Sequence, residues 1–267
     1  MADYISLSYW DLAFAAIFIL LNGAISIAFK LGLAKKLFIV ATRMVVQLSI
    51  VALLLKAIFS ISSPWLTALV ALAMGLFAGR EIWARQEKKL AGFWGYSIGA
   101  GTMMFAGFFV TIVALNTQIQ PDPWWNPQFA LPLFGMILGN TMTGVSLALD
   151  SLTSTLNREK TAIEARLLLG FNRWQALLPF IRQALRAGFM PIINAMAAMG
   201  IVSLPGMMTG QILSGVDPAE AVKYQILILL LIGGATGLGV IGATLLSAYR
   251  LSDERDRLRL DRLKVTK

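Results

Sequence analysis

The stretch FALPLFGMILGNTMTGVSLAL, residues 129–149, is the clearest of the apolar stretches that decide the fold. It contains no charged residue, and about 20 apolar residues in a helix can cross a hydrocarbon core of ~30 Å. Comparable stretches occupy residues 10–29, 37–59, 65–79, 93–115, 187–204 and 221–249. We therefore predict an all-α, polytopic transmembrane helix bundle of about seven spans, forming a single transmembrane domain over residues 1–267.

The composition supports a membrane protein and excludes several functions. The chain is 57% hydrophobic and 14% charged, which is too apolar for a soluble domain. It has no cysteine and no histidine, so disulfides, zinc–thiolate sites and imidazole acid–base chemistry are excluded. The sequence also lacks the motifs of the common hydrolases and the phosphate loop of an ATPase. We predict that the chain is not an enzyme and that any ATP is bound by another protein.

The basic residues predict the orientation of the chain in the membrane. All but Lys56 and Lys223 of the 23 Lys and Arg residues fall in alternate connections between the predicted spans or in the tail at 250–267. Because Lys and Arg near span ends stay on the cytoplasmic side, the N-terminus is predicted outside and the C-terminus inside. The net charge of +9 follows from this arrangement, so membrane lipid and a cytoplasmic protein are expected partners and nucleic acid is not.

The longest hydrophilic connection includes a predicted cytoplasmic hairpin at residues 158–186. Residues 161–169 read as a short helix closed by Gly170, and Asn172 can cap a second helix that starts at Arg173. The hairpin could lie on the bilayer as an interfacial element, or it could dock into a motor protein. In the second interpretation the residues that transmit motion are Glu164, Ala165, Gly170, Arg173 and Trp174.

Several segments resemble one transporter family. EARLLLG, residues 164–170, resembles the Glu-Ala-Ala-x-x-x-Gly loop of ABC-type permeases, with Arg166 in place of the second alanine. RMVVQLSIVALLLKAIF (43–59), FGMILGNTMTGVSLAL (134–149), GFNRWQALLPFIRQALRAGFMP (170–191) and GIVSLPGMMTGQILSGVDPAEAVKYQI (200–226) resemble the bacterial iron-export permease family, which is similar to a plant aluminium-tolerance membrane subunit.

The resemblance implies a membrane subunit of an ABC exporter in the bacterial inner membrane. Two permease copies would pair with two separately encoded ATP-binding subunits, which would use ATP and Mg, and this chain would bind no cofactor. Bacterial members are associated with iron efflux and resistance to oxidative stress. The plant relatives are associated with sugar-nucleotide export, so an organic solute remains an alternative substrate. A regulatory membrane scaffold without a transport path is a further alternative.

Polar side chains within the predicted spans are the candidates for a substrate path, because polar groups in hydrocarbon tend to face a bundle interior or a cavity. Met136, Asn140 and Thr143 follow one another at helical spacing and form one stripe. Gly135 and Gly139 beside them suit close helix contact. The full predicted path comprises Gln47, Met136, Asn140, Thr143, Asn194, Met207, Met208 and Gln211, and the thioethers of Met207 and Met208 are the candidate metal ligands.

The segment SLPGMMTGQILSGVDP, residues 203–218, interrupts the apolar pattern near the outer side of the predicted membrane. We expect the sixth span to end at Pro205 and Gly206, because proline removes a backbone donor and glycine permits a reversal. A short helix can then re-form over residues 207–213, and Asp217 and Pro218 can start the seventh span. The interruption, which begins at Ser203, is either an extracytoplasmic gate or a re-entrant turn, and the methionines favour the gate.

Overall fold

The computed structural model describes residues 7–265, without the side chain of Val265. The predicted external N-terminus begins before this range, and residues 266–267 of the predicted tail also lie outside it. The described chain forms two compact units, and the boundary between them falls between Ser62 and Ser63.

The first unit is a hairpin of two packed helices, α1 (Tyr9–Ala28) and α2 (Ala34–Ile61). Ser8 caps α1 in a capping box, in which the Asp11 carboxylate accepts a hydrogen bond from the Ser8 N–H at 2.7 Å. The Ser26 hydroxyl accepts the Leu33 N–H at 3.0 Å and so fixes the turn. Most large apolar side chains of both helices are exposed, a surface that lipid solvates and water does not.

The second unit contains the remaining elements in a single helical bundle. In chain order they are α3 (Pro64–Arg85), β1 (Lys88–Leu90), α4 (Trp94–Ala114), a π-helical turn (Leu115–Ile119), α5 (Pro127–Arg158), α6 (Lys160–Leu168), α7 (Arg173–Ala198), α8 (Gly206–Leu213), α9 (Pro218–Arg250), a 3₁₀ turn (Leu260–Arg262) and β2 (Leu263–Val265). Helix α5 lies at the centre and packs against α3, α4, α7 and α9. Proline occupies the first turn of α3, α5 and α9, where its missing N–H leaves no intrahelical bond unmade.

Seven helices of the described chain are long and apolar enough to cross a membrane: α1, α2, α3, α4 with its π-helical turn, α5, α7 and α9. This confirms the predicted all-α bundle of about seven spans. The only strands of the described chain are β1 and β2, which form one short antiparallel pair.

The predicted limits of the sixth span were wrong. We expected a separate short helix after Asn172 and a span over 187–204, but α7 is one continuous helix from Arg173 to Ala198. Pro179 and Pro191 lie within it without ending it. The second helix of the hairpin predicted at 158–186 and the sixth span are therefore the same element. A force applied at the start of α7 can consequently reach the bundle through continuous helix.

Helices α5, α7 and α9 approach one another closely where they meet. A Cβ atom added to Gly144 would lie 2.8 Å from the Gly188 carbonyl oxygen, and one added to Gly188 would lie 2.7 Å from Val240. By contrast, a Cβ at Gly139 would meet no described atom within 4 Å. Of the two glycines predicted to suit close helix contact, Gly139 is therefore open, whereas a Cβ at Gly135 would lie 3.1 Å from the Met74 side chain. The closer approach on α5 is at Gly144.

Candidate functional site: the hairpin between α6 and α7 and a polar face

The hairpin between α6 and α7 is formed by strong local signals. Gly170 has a φ of 89°, a left-handed conformation that glycine adopts without steric cost. Its N–H donates to the Leu167 carbonyl at 3.1 Å, and the Phe171 N–H donates to the Arg166 carbonyl at 3.2 Å, which together close α6. The Asn172 side chain then accepts the Gln175 N–H at 2.9 Å and begins α7. The predicted turn and cap are confirmed.

The residues predicted to transmit motion lie together on this hairpin. Glu164, Ala165, Gly170 and Trp174 are exposed, and Arg173 is partly buried at the start of α7. Lys160 lies 3.7 Å from Glu164, an exposed ion pair that leaves the carboxylate accessible. Most of these side chains are therefore accessible to a partner protein.

Two further residues at the tip had not been singled out from the sequence. Leu168 and Leu169 are 89% and 79% exposed, whereas Ile163 on the opposite side of α6 is fully buried. The sequence signal for these two residues was the run of three leucines before Gly170. Ile163 and Leu167 are sufficient to form the apolar stripe along one side of α6, so Leu168 and Leu169 are not needed for that stripe. An exposed apolar tip on a buried base is suited to insertion into a complementary pocket.

The base of the hairpin is held by the C-terminal tail, which the sequence suggested only as a charged segment at 250–267. Strand β2 pairs antiparallel with β1, and the Ala91 N–H donates to the Arg262 carbonyl at 2.7 Å. Leu258 of the tail lines one narrow gap together with Ile163 of α6 and Leu177 of α7. The tail therefore connects the end of α9, the hairpin and the segment after α3.

Asp256 makes the most specific contact between the tail and the hairpin. Its carboxylate accepts the Arg173 N–H at 2.8 Å, across 83 positions of sequence. The negative charge therefore sits at the N-terminus of α7, where the helix dipole favours it. Asp256 itself has a φ of 51°, a conformation that aspartate and asparagine tolerate better than most residues.

Replacing Asp256 with asparagine should loosen the tail without disturbing the bundle. Asparagine retains the shape and tolerates the positive φ, but removes the charge from the helix terminus, at a cost of about 1 kcal/mol. We expect faster hydrogen exchange at the Arg173 amide and faster proteolysis of the tail. Glu254→Gln, an exposed acid in the same turn, is the control and should behave as wild type. Equal exchange in the two variants would contradict the contact.

Two carboxyl groups of the tail, those of Asp253 and Asp261, have lowered pKa values. The Arg257 backbone N–H donates to Asp253 and, as the largest effect, lowers the pKa of that carboxyl. The guanidinium of Arg259 donates two hydrogen bonds of 2.8 Å to Asp261 and lowers the pKa of Asp261 to about 2. Because the pKa values of Asp253 and Asp261 are both lowered, the contacts of these carboxylates are fully present above the ordinary pKa of aspartate. They weaken only as the pH falls through the lowered pKa values.

The polar stripe of α5 is partly exposed, since Met136 and Thr143 are half-buried and only Asn140 is exposed. The Asn140 side chain is exposed and donates to the Met136 carbonyl at 2.8 Å, and the Thr143 hydroxyl donates to the Gly139 carbonyl at 3.1 Å. Asn194 is exposed on α7, and Gln47 is exposed on α2 in the first unit. Within one copy, the stripe therefore lines no closed channel of this unit.

The methionines of the predicted path are placed differently from the amides. Met136 and Met207 both pack against the same apolar cluster, which includes Ile137, Ile192 and Ile228. Met208 is buried, and Gln211 is half-buried with its carbonyl oxygen lacking a hydrogen-bond donor in the described chain. Met136 and Met207 therefore border the same apolar cluster, whereas the side chains of Asn140 and Asn194 are exposed.

The interruption at 203–218 has the predicted short helix but a different point of reversal. Helix α7 stops at Ala198, and Gly200, with a φ of 85°, turns the chain before the predicted stop at Pro205 and Gly206 is reached. Ser203 is exposed, and Pro205 instead precedes α8.

The entry into the last span follows the prediction. Asp217 accepts the Ala219 N–H at 2.9 Å, and Pro218 begins α9. A buried glutamine, Gln225, donates to the Met199 sulfur at 3.9 Å and so links α9 to the end of α7. The sequence analysis missed Gln225, although a glutamine within an apolar span was a visible signal.

Residues 7–265 contain no group of three or more acidic side chains that could hold a metal ion.

Comparisons with known proteins agree with this architecture. A family model described as Uncharacterised protein family (UPF0014) matches residues 9–251. The protein named probable iron export permease FetB, from Escherichia coli, is 31% identical over 95% of this chain and 96% of its own length. The UPF0014 membrane protein slr1647 of Synechocystis is 38% identical over 80% of this chain and 82% of its own.

A plant protein is also similar. ALUMINUM SENSITIVE 3 of Arabidopsis thaliana is 30% identical over 88% of this chain and 84% of its own length. No solved structure matches the chain. The family model spans all seven long helices, from the start of α1 to just beyond the end of α9. This chain therefore belongs to the UPF0014 family of multi-pass membrane proteins, which includes the bacterial protein named for iron export and the plant protein named for aluminium sensitivity.

Proposed function

We propose that the chain is the membrane subunit of an ABC-type exporter in the bacterial inner membrane. The observation that carries the proposal is the hairpin tip, where Leu168 and Leu169 are exposed although the hairpin base is buried and tied to the tail. Such a rigid apolar projection suits a soluble ATPase subunit. Similarity to a relative named as a permease supports the same role. The partner would bind ATP and Mg, and this chain would bind no cofactor of its own.

In this mechanism the hairpin transmits motion to the bundle. A movement of the ATPase would press on the residues around Glu164 and Gly170 and shift Arg173 and Trp174 at the start of α7. Because α7 is continuous through Ala198, the shift would reach the segment at 199–217 on the far side of the bundle. That segment would then open or close as an outer gate, and access to the path would alternate between the two sides.

The proposed orientation places the hairpin in the cytoplasm, with the C-terminus inside and the N-terminus outside. The connection after α3, the hairpin and the tail carry most basic residues of the second unit. Pairing of β1 with β2 and the hydrogen bond from the Glu87 N–H to Asp150 at 2.9 Å bring these segments to one end of the unit. This concentration of positive charge supports a cytoplasmic location.

We further propose that two copies of the chain enclose the path. Asn140, Thr143 and Asn194 are exposed or half-buried polar groups of the second unit, where lipid contact would leave polar atoms poorly solvated. A second copy facing this surface would convert it into an internal path. Two ATP-binding subunits would then complete the transporter.

The proposed substrate is iron, moved out of the cytoplasm. The name of the bacterial relative supports this substrate, and the amide groups together with the thioethers of Met207 and Met208 could provide weak, transient ligands. Weak ligation suits transport, since a substrate must leave its site as readily as it enters.

The substrate path can be tested in vesicles that contain both subunits. Asn140→Ala and the double change Met207→Ala/Met208→Ala should each lower iron efflux by about tenfold, because each removes candidate ligands without removing the hairpin contact. Asn157→Ala on α5 and Met190→Ala on α7 are matched controls outside the predicted path, and they should retain efflux. Wild-type efflux in the Asn140 and methionine variants would exclude these residues as path components.

A second candidate substrate is an organic solute such as a sugar nucleotide. The observation that favours an organic solute is the set of available metal ligands. Residues 7–265 contain no group of three or more acidic side chains that could bind a metal ion, and the chain has no histidine or cysteine. Stimulation of the reconstituted ATPase distinguishes the candidates. Stimulation by ferrous iron supports metal export, whereas stimulation by the solute alone supports the alternative. If no ATPase subunit associates with the chain, the scaffold interpretation replaces both.

A further inference from the structure

An arginine-lined cavity lies where the start of α7, the end of α9 and the tail meet. Its volume is about 370 Å³. Five arginines contribute to its lining: Arg173, Arg250, Arg255, Arg257 and Arg262. Two acids, Asp253 and Glu254, also line it, so positive charge predominates. The path and hairpin tip described above do not use this cavity.

Most of this positive charge is not neutralised by the protein. Among the arginines of the cavity, only Arg257 forms an ion pair within the described chain, with Asp253 at 2.8 Å. Asp253 is fully engaged, because it also accepts the backbone N–H groups of Arg255 and Arg257 at 3.0 and 2.9 Å. Like charges at this density repel one another and favour the binding of a counter-anion.

Several of the guanidinium groups are held in place by contacts that leave their charge unpaired. Arg250 lies over the Trp94 ring at 5.0 Å, and Arg173 lies over the Tyr249 ring at 5.3 Å. Arg262 donates to the Arg250 carbonyl at 2.6 Å. These contacts orient the side chains before any ligand arrives, which reduces the entropy lost on binding.

We propose that this cavity binds a phosphoryl-bearing anion. The planar guanidinium group can donate two hydrogen bonds to phosphate oxygens in bidentate geometry. Several arginines together complement a multiply charged phosphoryl group, whereas a single carboxylate would need fewer of them. The ligand is either a soluble phosphate compound or the headgroup of an anionic phospholipid, since Trp94 and Tyr249 are residue types common at the membrane interface. A bound anion would bridge the tail to Arg173 and stabilise the hairpin base.

The test uses the purified full chain without the ATPase, so its outcome is independent of the proposed transport function. Pyrophosphate is titrated by calorimetry in detergent, and thermal unfolding is compared in phosphatidylcholine nanodiscs with and without phosphatidylglycerol. Arg250→Gln/Arg255→Gln removes two charges from the cavity. Arg182→Gln/Arg186→Gln removes two charges from α7 outside it and serves as the matched control.

Wild type and control should bind the phosphoryl probe, and the cavity variant should bind it at least about tenfold more weakly. Binding of pyrophosphate identifies a soluble-phosphate site, and selective stabilisation by phosphatidylglycerol identifies a lipid site. The proposal is overturned if neither probe distinguishes the cavity variant from the control.

Discussion

Replacing Gly144 with alanine is expected to destabilise the bundle severely. The added methyl would lie 2.8 Å from both the Gly188 carbonyl oxygen and the Thr236 methyl group, where backbone and a buried side chain prevent relaxation. Overpacking of this kind costs about 1–3 kcal/mol, which exceeds the gain of about 1 kcal/mol that alanine brings to a helix interior. We expect a lowered unfolding temperature in detergent, and Gly144→Leu should yield no folded protein.

Gly139→Ala is the matched control, one turn away on the same helix. No described atom lies within 4 Å of its added methyl, so only the helix-propensity gain remains and the unfolding temperature should not fall. The unfolding temperature should fall in Gly144→Ala but not in Gly139→Ala. This difference distinguishes an effect of helix packing from a general effect of replacing glycine in a membrane helix. If both variants unfolded at the wild-type temperature, the close approach of α5 and α7 would be refuted.

The second large effect is expected at the hairpin tip. Leu168→Asp/Leu169→Asp places two charges where we propose that an apolar surface enters a pocket of the ATPase subunit. Burial of unpaired carboxylates is strongly unfavourable, so affinity for the ATPase should fall by at least about a hundredfold and coupled transport should be lost. The permease should remain folded, because both leucines are largely exposed in the isolated chain. Co-purification and vesicle efflux measure the two effects.

Thr161→Asp/Ala162→Asp provides the control for added charge. Both positions are exposed in the first turn of α6, where the helix dipole favours acids. This variant should retain the ATPase subunit. Retention of the subunit by the leucine variant as well would exclude the tip as the docking element and favour a hairpin that lies on the bilayer.

The features that were predictable from the sequence are encoded by neighbouring residues. Asn172 and Asp217 cap helices because their side chains reach N–H groups two or three positions away. Gly170 ends α6 because the conformation required there is local. Apolar length similarly determines which segments can span a membrane. The limits of the sixth span were mispredicted because the apolar stretch does not coincide with the helix: α7 begins at Arg173, before that stretch, and ends at Ala198, before Gly200 turns the chain.

The candidate site was only partly predictable. The hairpin residues from Glu164 to Trp174 were identified because they are contiguous. Asp256 could not be assigned to the start of α7, since nothing in its own neighbourhood specifies contact with a residue 83 positions away. The polar stripe of α5 was predicted correctly as a stripe, but helical spacing does not reveal which neighbour it faces. Its partial exposure is a tertiary property.

The sequence by itself therefore determined a membrane protein of seven helical spans with a capped hairpin in its longest polar connection, because hydrophobic length and local hydrogen bonding are written in consecutive residues. Only the tertiary structure decided that Gly144 and not Gly139 permits close packing, that the tail pairs with β1, and that five arginines surround one cavity. These features depend on which distant segments meet. That outcome is set by the packing of the whole bundle, where small residues allow approach and larger ones forbid it.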